Sequence, residues 1–215
     1  GEEMGREFIN LFDEWSNTYD QTVVGHDEQY REVFEQYDDI LNAVSNEVSG
    51  NIIEFGVGTG NLTKRLIDGN RVLGIEPSKN MRELAKAKVS EVPIMDGDFL
   101  HFPEDYFEKI DCFVSSYAFH HLTDSEKQEA IQKYSRLLDK NGKIVFADTV
   151  FENELAKENM IKWAQEKHFS NLTEDLQREY YTTIPFLSKV LEEEGFSVTF
   201  HQLNRFVWLI NATKQ

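Results

Sequence analysis

Residues 54–61 read Glu-Phe-Gly-Val-Gly-Thr-Gly-Asn, with glycine at 56, 58 and 60. They close the apolar run Asn51–Val57 and open an amphipathic stretch, Gly60–Ile67. A side chain in such a turn would bar both the sharp reversal of the backbone and the close approach of a ligand. The run before the loop is one of five: Asn51–Val57, Arg71–Glu76, Val92–Met95, Ile110–Ser116 and Lys143–Ala147. Between them the spacing predicts helices over Gly60–Ile67, Ser78–Val89 and Ser125–Leu138. Apolar runs bounded by Gly and Asp and alternating with helices build βαβ units, hence a parallel sheet with helices on both faces. Near the end, a helix over Ile184–Glu194 precedes two further runs, Ser197–Leu203 and Arg205–Ala212, with almost nothing between them. Strands joined that tightly are antiparallel. The expected fold is therefore α/β: a Rossmann-like, seven-stranded, mostly parallel sheet with an antiparallel C-terminal hairpin.

At 215 residues the chain is expected to be one domain. Within it, residues 1–49 read as an N-terminal helical cap. Apolar positions at Tyr30, Val33, Phe34, Tyr37, Ile40, Leu41, Val44 and Val48 make one buried helical stripe, with a shorter helix over Arg6–Trp15 and a turn or broken helix over Ser16–Gly25. Residues 50–151 are the expected ligand-binding core, 152–183 a helical insertion over the open end of the sheet, and 184–215 the terminal helix and hairpin.

The loop has two competing readings. A dinucleotide fingerprint needs Gly-x-Gly-x-x-Gly, and position 61 is Asn. The pattern is instead Glu-x-Gly-x-Gly-x-Gly. The second run ends in Gly74-Ile75-Glu76-Pro77, and a carboxylate at that strand tip can accept both hydroxyls of a ribose. After the third run, Met95-Asp96-Gly97-Asp98-Phe99 offers an acceptor for an adenine amine, Asp98 or Asp96.

With these residues the chain resembles the class I S-adenosylmethionine-dependent methyltransferases. Within them it looks most like the YrrT-type methyltransferases of bacilli, on its Gly5-Arg6-Glu7-Phe8 start and on the runs Ser115–Asp124 and Lys143–Asn153. The resemblance implies a fold and a cofactor, S-adenosylmethionine, but no substrate. It also implies roles. Gly56, Gly58 and Gly60 would lie beneath the methionine part of the cofactor, and Glu76 would hold the ribose. Asp98 would take the adenine amine, with the backbone and ring of Phe99 beside the base. Ser115 would face the amino-acid end, and Tyr19 in Trp15-x-x-x-Tyr19-Asp20 would belong to a segment folded over the sulfonium, to which an aromatic face is attractive.

Methyl transfer from a sulfonium demands little beyond alignment in a dry site; a base is needed only where the nucleophile must lose a proton. Candidates for the acceptor side are Tyr117, His120 and His121, just past the fourth run, where ligands bind in open α/β sheets. A histidine there either lines the acceptor pocket or caps and packs the next helix. Two adjacent histidines are a poor metal signature, since catalytic zinc sites usually have three protein ligands, so no metal is expected. Asp148 either faces the same cleft or caps the helix starting near Asn153. Cys112, mid-strand, reads as a buried structural thiol. His26, His101, His168 and His201 show no partner spacing.

Asp and Glu number 39 against 22 Lys and Arg, a formal charge of −17. A chain this acidic, with no basic cluster, repels phosphate backbones and anionic lipid. No run approaches a bilayer span of ~20 residues, the N-terminus lacks a signal pattern, and a single cysteine suits a reducing compartment. The expectation is a cytoplasmic enzyme, monomer or homodimer, that methylates a small molecule and binds neither nucleic acid nor membrane. The rival readings are a non-catalytic S-adenosylmethionine- or S-adenosylhomocysteine-binding protein, or a nucleotide-dependent dehydrogenase.

Overall fold

Asn51–Phe55 form β1 in the computed structural model, which describes residues 27–215. The expected helix over 6–15, the turn over 16–25, Tyr19 and His26 lie outside the described residues. β1 sits mid-sheet, parallel to β2 (Arg71–Ile75) on one side and β4 (Cys112–Ser116) on the other. β3 (Ile94–Met95) and β5 (Lys143–Thr149) extend the parallel part, while β6 (Phe196–Gln202) and β7 (Val207–Lys214) are antiparallel. The order is β3-β2-β1-β4-β5-β7-β6, the seven-stranded mixed sheet that the apolar runs and the C-terminal hairpin indicate. Register places Phe55 opposite both Ile75 and Ser115, and Ser115 opposite Phe146. β1 and β2 therefore end level, β4 runs one residue further and β5 three residues past Phe146, and all four loops leave the sheet at the same end.

Strands covered on both faces are apolar throughout, and successive residues of β1 feed two cores. Ile52 packs with Val72, Val114 and Val145 under α1 (Tyr37–Ser45), α2 (Thr63–Leu66) and α3 (Lys79–Lys88). Ile53 and Phe55 pack with Phe113, Ile144 and Phe146 under α4 (Asp124–Leu137) and α7 (Ile184–Glu193). In the second core Tyr134 stacks on Phe113 at 4.4 Å, and its buried hydroxyl donates to the Phe99 carbonyl at 2.6 Å. The turn over Phe119–His121 enters α4 through a Thr123/Glu126 capping box, which satisfies two orphan donors at the helix start. Among the described residues no helix is long and apolar enough to cross a membrane.

One region differs from the sequence expectation. The stripe from Tyr30 to Val48 predicts one helix, but the regular helix is only α1. Ahead of it Gln36 is left-handed, at φ 57°. The Val33 carbonyl accepts from Tyr117 Oη at 3.2 Å and Asn204 Nδ2 at 2.9 Å, and the Glu35 carbonyl accepts from Asn204 at 3.1 Å. Carbonyls committed to distant side chains do not continue a helical ladder. α1 itself lies on a sheet face, with Ile40, Leu41 and Val44 fully buried in the first core. The expected insertion is two helices, α5 (Glu154–Glu166) and α6 (Ser170–Arg178). It is closed at its base by Phe151 N–H donating to Thr182 O (3.0 Å) and Ile184 N–H to Phe151 O (2.8 Å).

Candidate active site

At the β1 tip, Gly56 and Gly58 have φ of 64° and 60°. At Gly56 a Cβ would stand 2.7 Å from the Ala118 Cβ, so the loop and the chain leaving β4 are in contact. At Gly58 a Cβ would meet only the Gly56 carbonyl, at 4.0 Å, and otherwise point into open space. Glu76, buried at the β2 tip, holds this loop: Gly58 N–H donates to its Oε1 and Ser78 N–H to its Oε2, each at 2.8 Å. Beneath lies Glu54, fully buried, with Oε1 accepting from Thr63 Oγ1 at 2.5 Å; its Oε2 is buried with no hydrogen-bond partner among the described residues. Burial, partly offset by the Thr63 bond and reinforced by Glu76, pushes the Glu54 carboxyl up to about 8. Ser115 sits under the loop and donates to the Phe55 carbonyl at 2.9 Å. Asp98 is nearly buried, and its Oδ1 receives the N–H groups of Leu100 (2.9 Å) and His101 (2.8 Å). Asp96 is exposed and faces Arg82 at 3.5 Å.

Across the edge, the turn after β4 carries a second polar group. His120 Nδ1 lies 2.7 Å from Asp148 Oδ1, and His120 N–H donates to Asp148 Oδ2, also at 2.7 Å. His121 Nδ1 lies 3.2 Å from Glu179 Oε2. Burial alone would lower the His120 pKa, but the Asp148 carboxylate outweighs it and the net shift is upward. His121 is lowered, by burial and then by its neighbour His120. Tyr181 stacks on the His120 ring at 4.8 Å and 26°. Lys127, buried and pushed down to about 8 by desolvation, donates to the carbonyls of Leu122 (2.6 Å) and Tyr180 (2.5 Å), tying α4 to the chain after α6.

Two expectations are corrected here, and one open alternative is decided. Tyr117 is left-handed at φ 55° and packs on Phe34 (4.8 Å) and Tyr37 (5.7 Å). Its hydroxyl donates to Val33 O, where it anchors the chain, and burial drives its pKa upward. The Phe99 ring belongs to the second core, between Phe55 (5.0 Å) and Phe119 (5.3 Å). Asp148 does not cap α5; Asn153 does, accepting from Ala156 N–H at 2.8 Å. Glu179 is the residue that sequence reasoning missed. It lies 58 positions from His121 in a stretch without a motif, and no local signal marks it.

Residues 52–142 match a family model described as a methyltransferase domain. Over 99% of its length the chain is 62% identical to a protein of Anoxybacillus flavithermus named "Uncharacterized methyltransferase", all of which is covered. A Bacillus cereus protein of the same name is 56% identical over the same shares. Among solved structures, magnesium protoporphyrin IX methyltransferase from Synechocystis with bound S-adenosylhomocysteine superposes with a TM-score of 0.71 at 17% identity, over 98% of this chain and 99% of that one. A possible histamine N-methyltransferase from Thermotoga maritima gives 0.68 at 20% identity, over 96% and 99%.

Proposed function

Because the chain belongs to the class I S-adenosylmethionine-dependent methyltransferases, we propose that it transfers a methyl group from S-adenosylmethionine to a small-molecule acceptor and releases S-adenosylhomocysteine. The observation that carries this reading is the clamp of Glu76 on the Gly58 N–H, which sets a carboxylate from one strand tip against a glycine loop from the next.

The residues present suit the cofactor. The space over Gly58 admits a ligand against bare backbone. Glu76, which holds two N–H groups at the β2 tip, is a carboxylate acceptor of the kind that ribose hydroxyls require. Glu54 Oε2, without a hydrogen-bond partner among the described residues, would accept from a cationic donor such as an amino group, whose charge would favour the ionised carboxylate that burial otherwise disfavours. Asp98 would take the adenine amine, Gly56, Gly60 and Ser115 would support the loop side, and Tyr19 would close over the donor. Bound there, the cofactor supplies an activated methyl on a positive sulfur.

What the protein adds is alignment and exclusion of water. The His120–His121 turn, held by Asp148 and Glu179, faces the acceptor, and α5–α6 roofs it. The acidic chain disfavours nucleic acid as acceptor, and the Synechocystis relative by its name also acts on a small molecule.

Calorimetric titration with S-adenosylmethionine, S-adenosylhomocysteine and NAD tests the reading. Micromolar binding of the first two without NAD supports it. Absence of binding by either form of the methyl donor overturns it.

A further inference from the structure

A zinc-type site needs three protein ligands and an open position, and the fold adds a third ligand to the adjacent histidines. α6 ends at Arg178, and the chain on either side of Glu179 is pinned. Glu179 N–H donates to Asp175 O at 2.9 Å, Tyr180 N–H to His120 O at 3.0 Å, and Lys127 holds Tyr180 O. Glu179 is thereby set against the histidine pair, its side chain 9% exposed and that of His121 8%. Ligand atoms of His120, His121 and Glu179 all lie within 4.8 Å of one another, and His121 Nδ1 is 3.2 Å from Glu179 Oε2. Two ligands each about 2.1 Å from a tetrahedral ion stand roughly 3.4 Å apart. One pair is thus already at coordination spacing, and the widest separation needs to close by about 1.4 Å at most, within reach of small side-chain rotations.

The surroundings match what a metal-bound imidazole requires. Asp148 takes the Nδ1 proton of His120 and is itself fixed by the backbone N–H of the same residue. That pairing sets the tautomer and leaves Nε2 as the lone-pair nitrogen, the carboxylate–histidine arrangement that orients metal ligands. Tyr181 fixes the ring plane from one side. Two imidazoles and one carboxylate favour zinc or its transition-series neighbours over magnesium and calcium, which prefer oxygen ligands.

We propose that His120, His121 and Glu179 bind a divalent transition-metal ion, of the zinc class, with a coordination position open to the nucleophilic atom of the acceptor. The metal site stands on its own geometry; only its use by an acceptor rests on the methyl-transfer reading. It narrows that reading, because an acceptor that ligates a metal presents oxygen, nitrogen or sulfur and not carbon.

The test is calorimetric titration of zinc, with magnesium as control, into the chelator-stripped chain and its Glu179→Gln, His121→Ala and Asp148→Asn variants, with S-adenosylhomocysteine affinity and thermal unfolding measured on the same samples. Binding of about one zinc per chain is expected, weaker by at least roughly 100-fold in Glu179→Gln and by about 10- to 100-fold in Asp148→Asn, with cofactor affinity retained. Titration with cobalt should give the strong visible absorption of a low-symmetry site in the parent chain and lose it in His121→Ala. Absence of zinc binding, or equal binding by the parent and by a folded Glu179→Gln, overturns the proposal and leaves His121 and Glu179 as a buried polar pair that packs the insertion. A chain that binds zinc but no cofactor keeps this site and removes the methyl-transfer reading, and the reverse result does the opposite.

Discussion

The two ends of the proposed site are built in opposite ways. At the donor end, carboxylates grip backbone: Glu76 holds the N–H groups of Gly58 and Ser78, and Asp98 those of Leu100 and His101, with partners at most 18 residues apart. At the acceptor end, side chains from distant elements meet one another: His120 with Asp148 across 28 residues and His121 with Glu179 across 58. A site made of backbone N–H groups and strand tips follows from the turn and the strand order, and suits a ligand common to many proteins. A site made of side-chain pairs between a loop and an insertion can be rewritten without disturbing the sheet, which is where acceptor choice would be expected to vary.

The largest effect should come from testing where the two ends touch. Gly56→Ala puts a Cβ 2.7 Å from that of Ala118 and forces a side chain to φ 64°; together these should cost about 2–5 kcal/mol in urea unfolding. Gly58→Ala carries only the backbone strain, about 1–2 kcal/mol. Equal costs for the two would mean that contact with Ala118 does not join the loop to the acceptor side.

Next in size is a pH effect confined to the donor end. The Glu54 carboxyl is held up to about 8 in the folded chain against 4.5 as its ordinary value. Its protonated form fits the fold, so its contribution is full below 4.5 and is lost as pH rises through 8. The stability of the cofactor-free chain should carry a downward component of up to about 1.4 kcal/mol per pH unit across that window. Glu54→Gln, a neutral mimic, should remove it. Parallel stability–pH curves for the two proteins would show that Glu54 is ionised in the folded chain.

The smallest expected effects separate the ends by binding alone. Glu76→Ala should weaken S-adenosylhomocysteine binding by roughly 1–3 kcal/mol, or about 5- to 150-fold, whereas Glu179→Gln should change it by less than about twofold. Equal losses in both variants would dissolve the distinction between a donor and an acceptor end.

The same division governs how much could be read in advance. Apolar runs alternating with helical stripes, and two C-terminal runs with no room for a crossover, determined the seven-stranded mixed sheet, because strand burial on two faces and tight turns leave a periodic trace in the chain itself. The glycine loop, Glu76 and Asp98 were legible as candidates for the same reason: each stands at a fixed offset from a strand end. Tertiary structure alone decided that the Tyr117 hydroxyl donates to Val33, that the Phe99 ring belongs to the core, that the first helical stripe breaks at Gln36, and that Glu179 joins the histidine pair. Each of these depends on which distant surfaces come together when the sheet is covered. Such pairings use ordinary residues without periodicity, so the chain carries no local record of them.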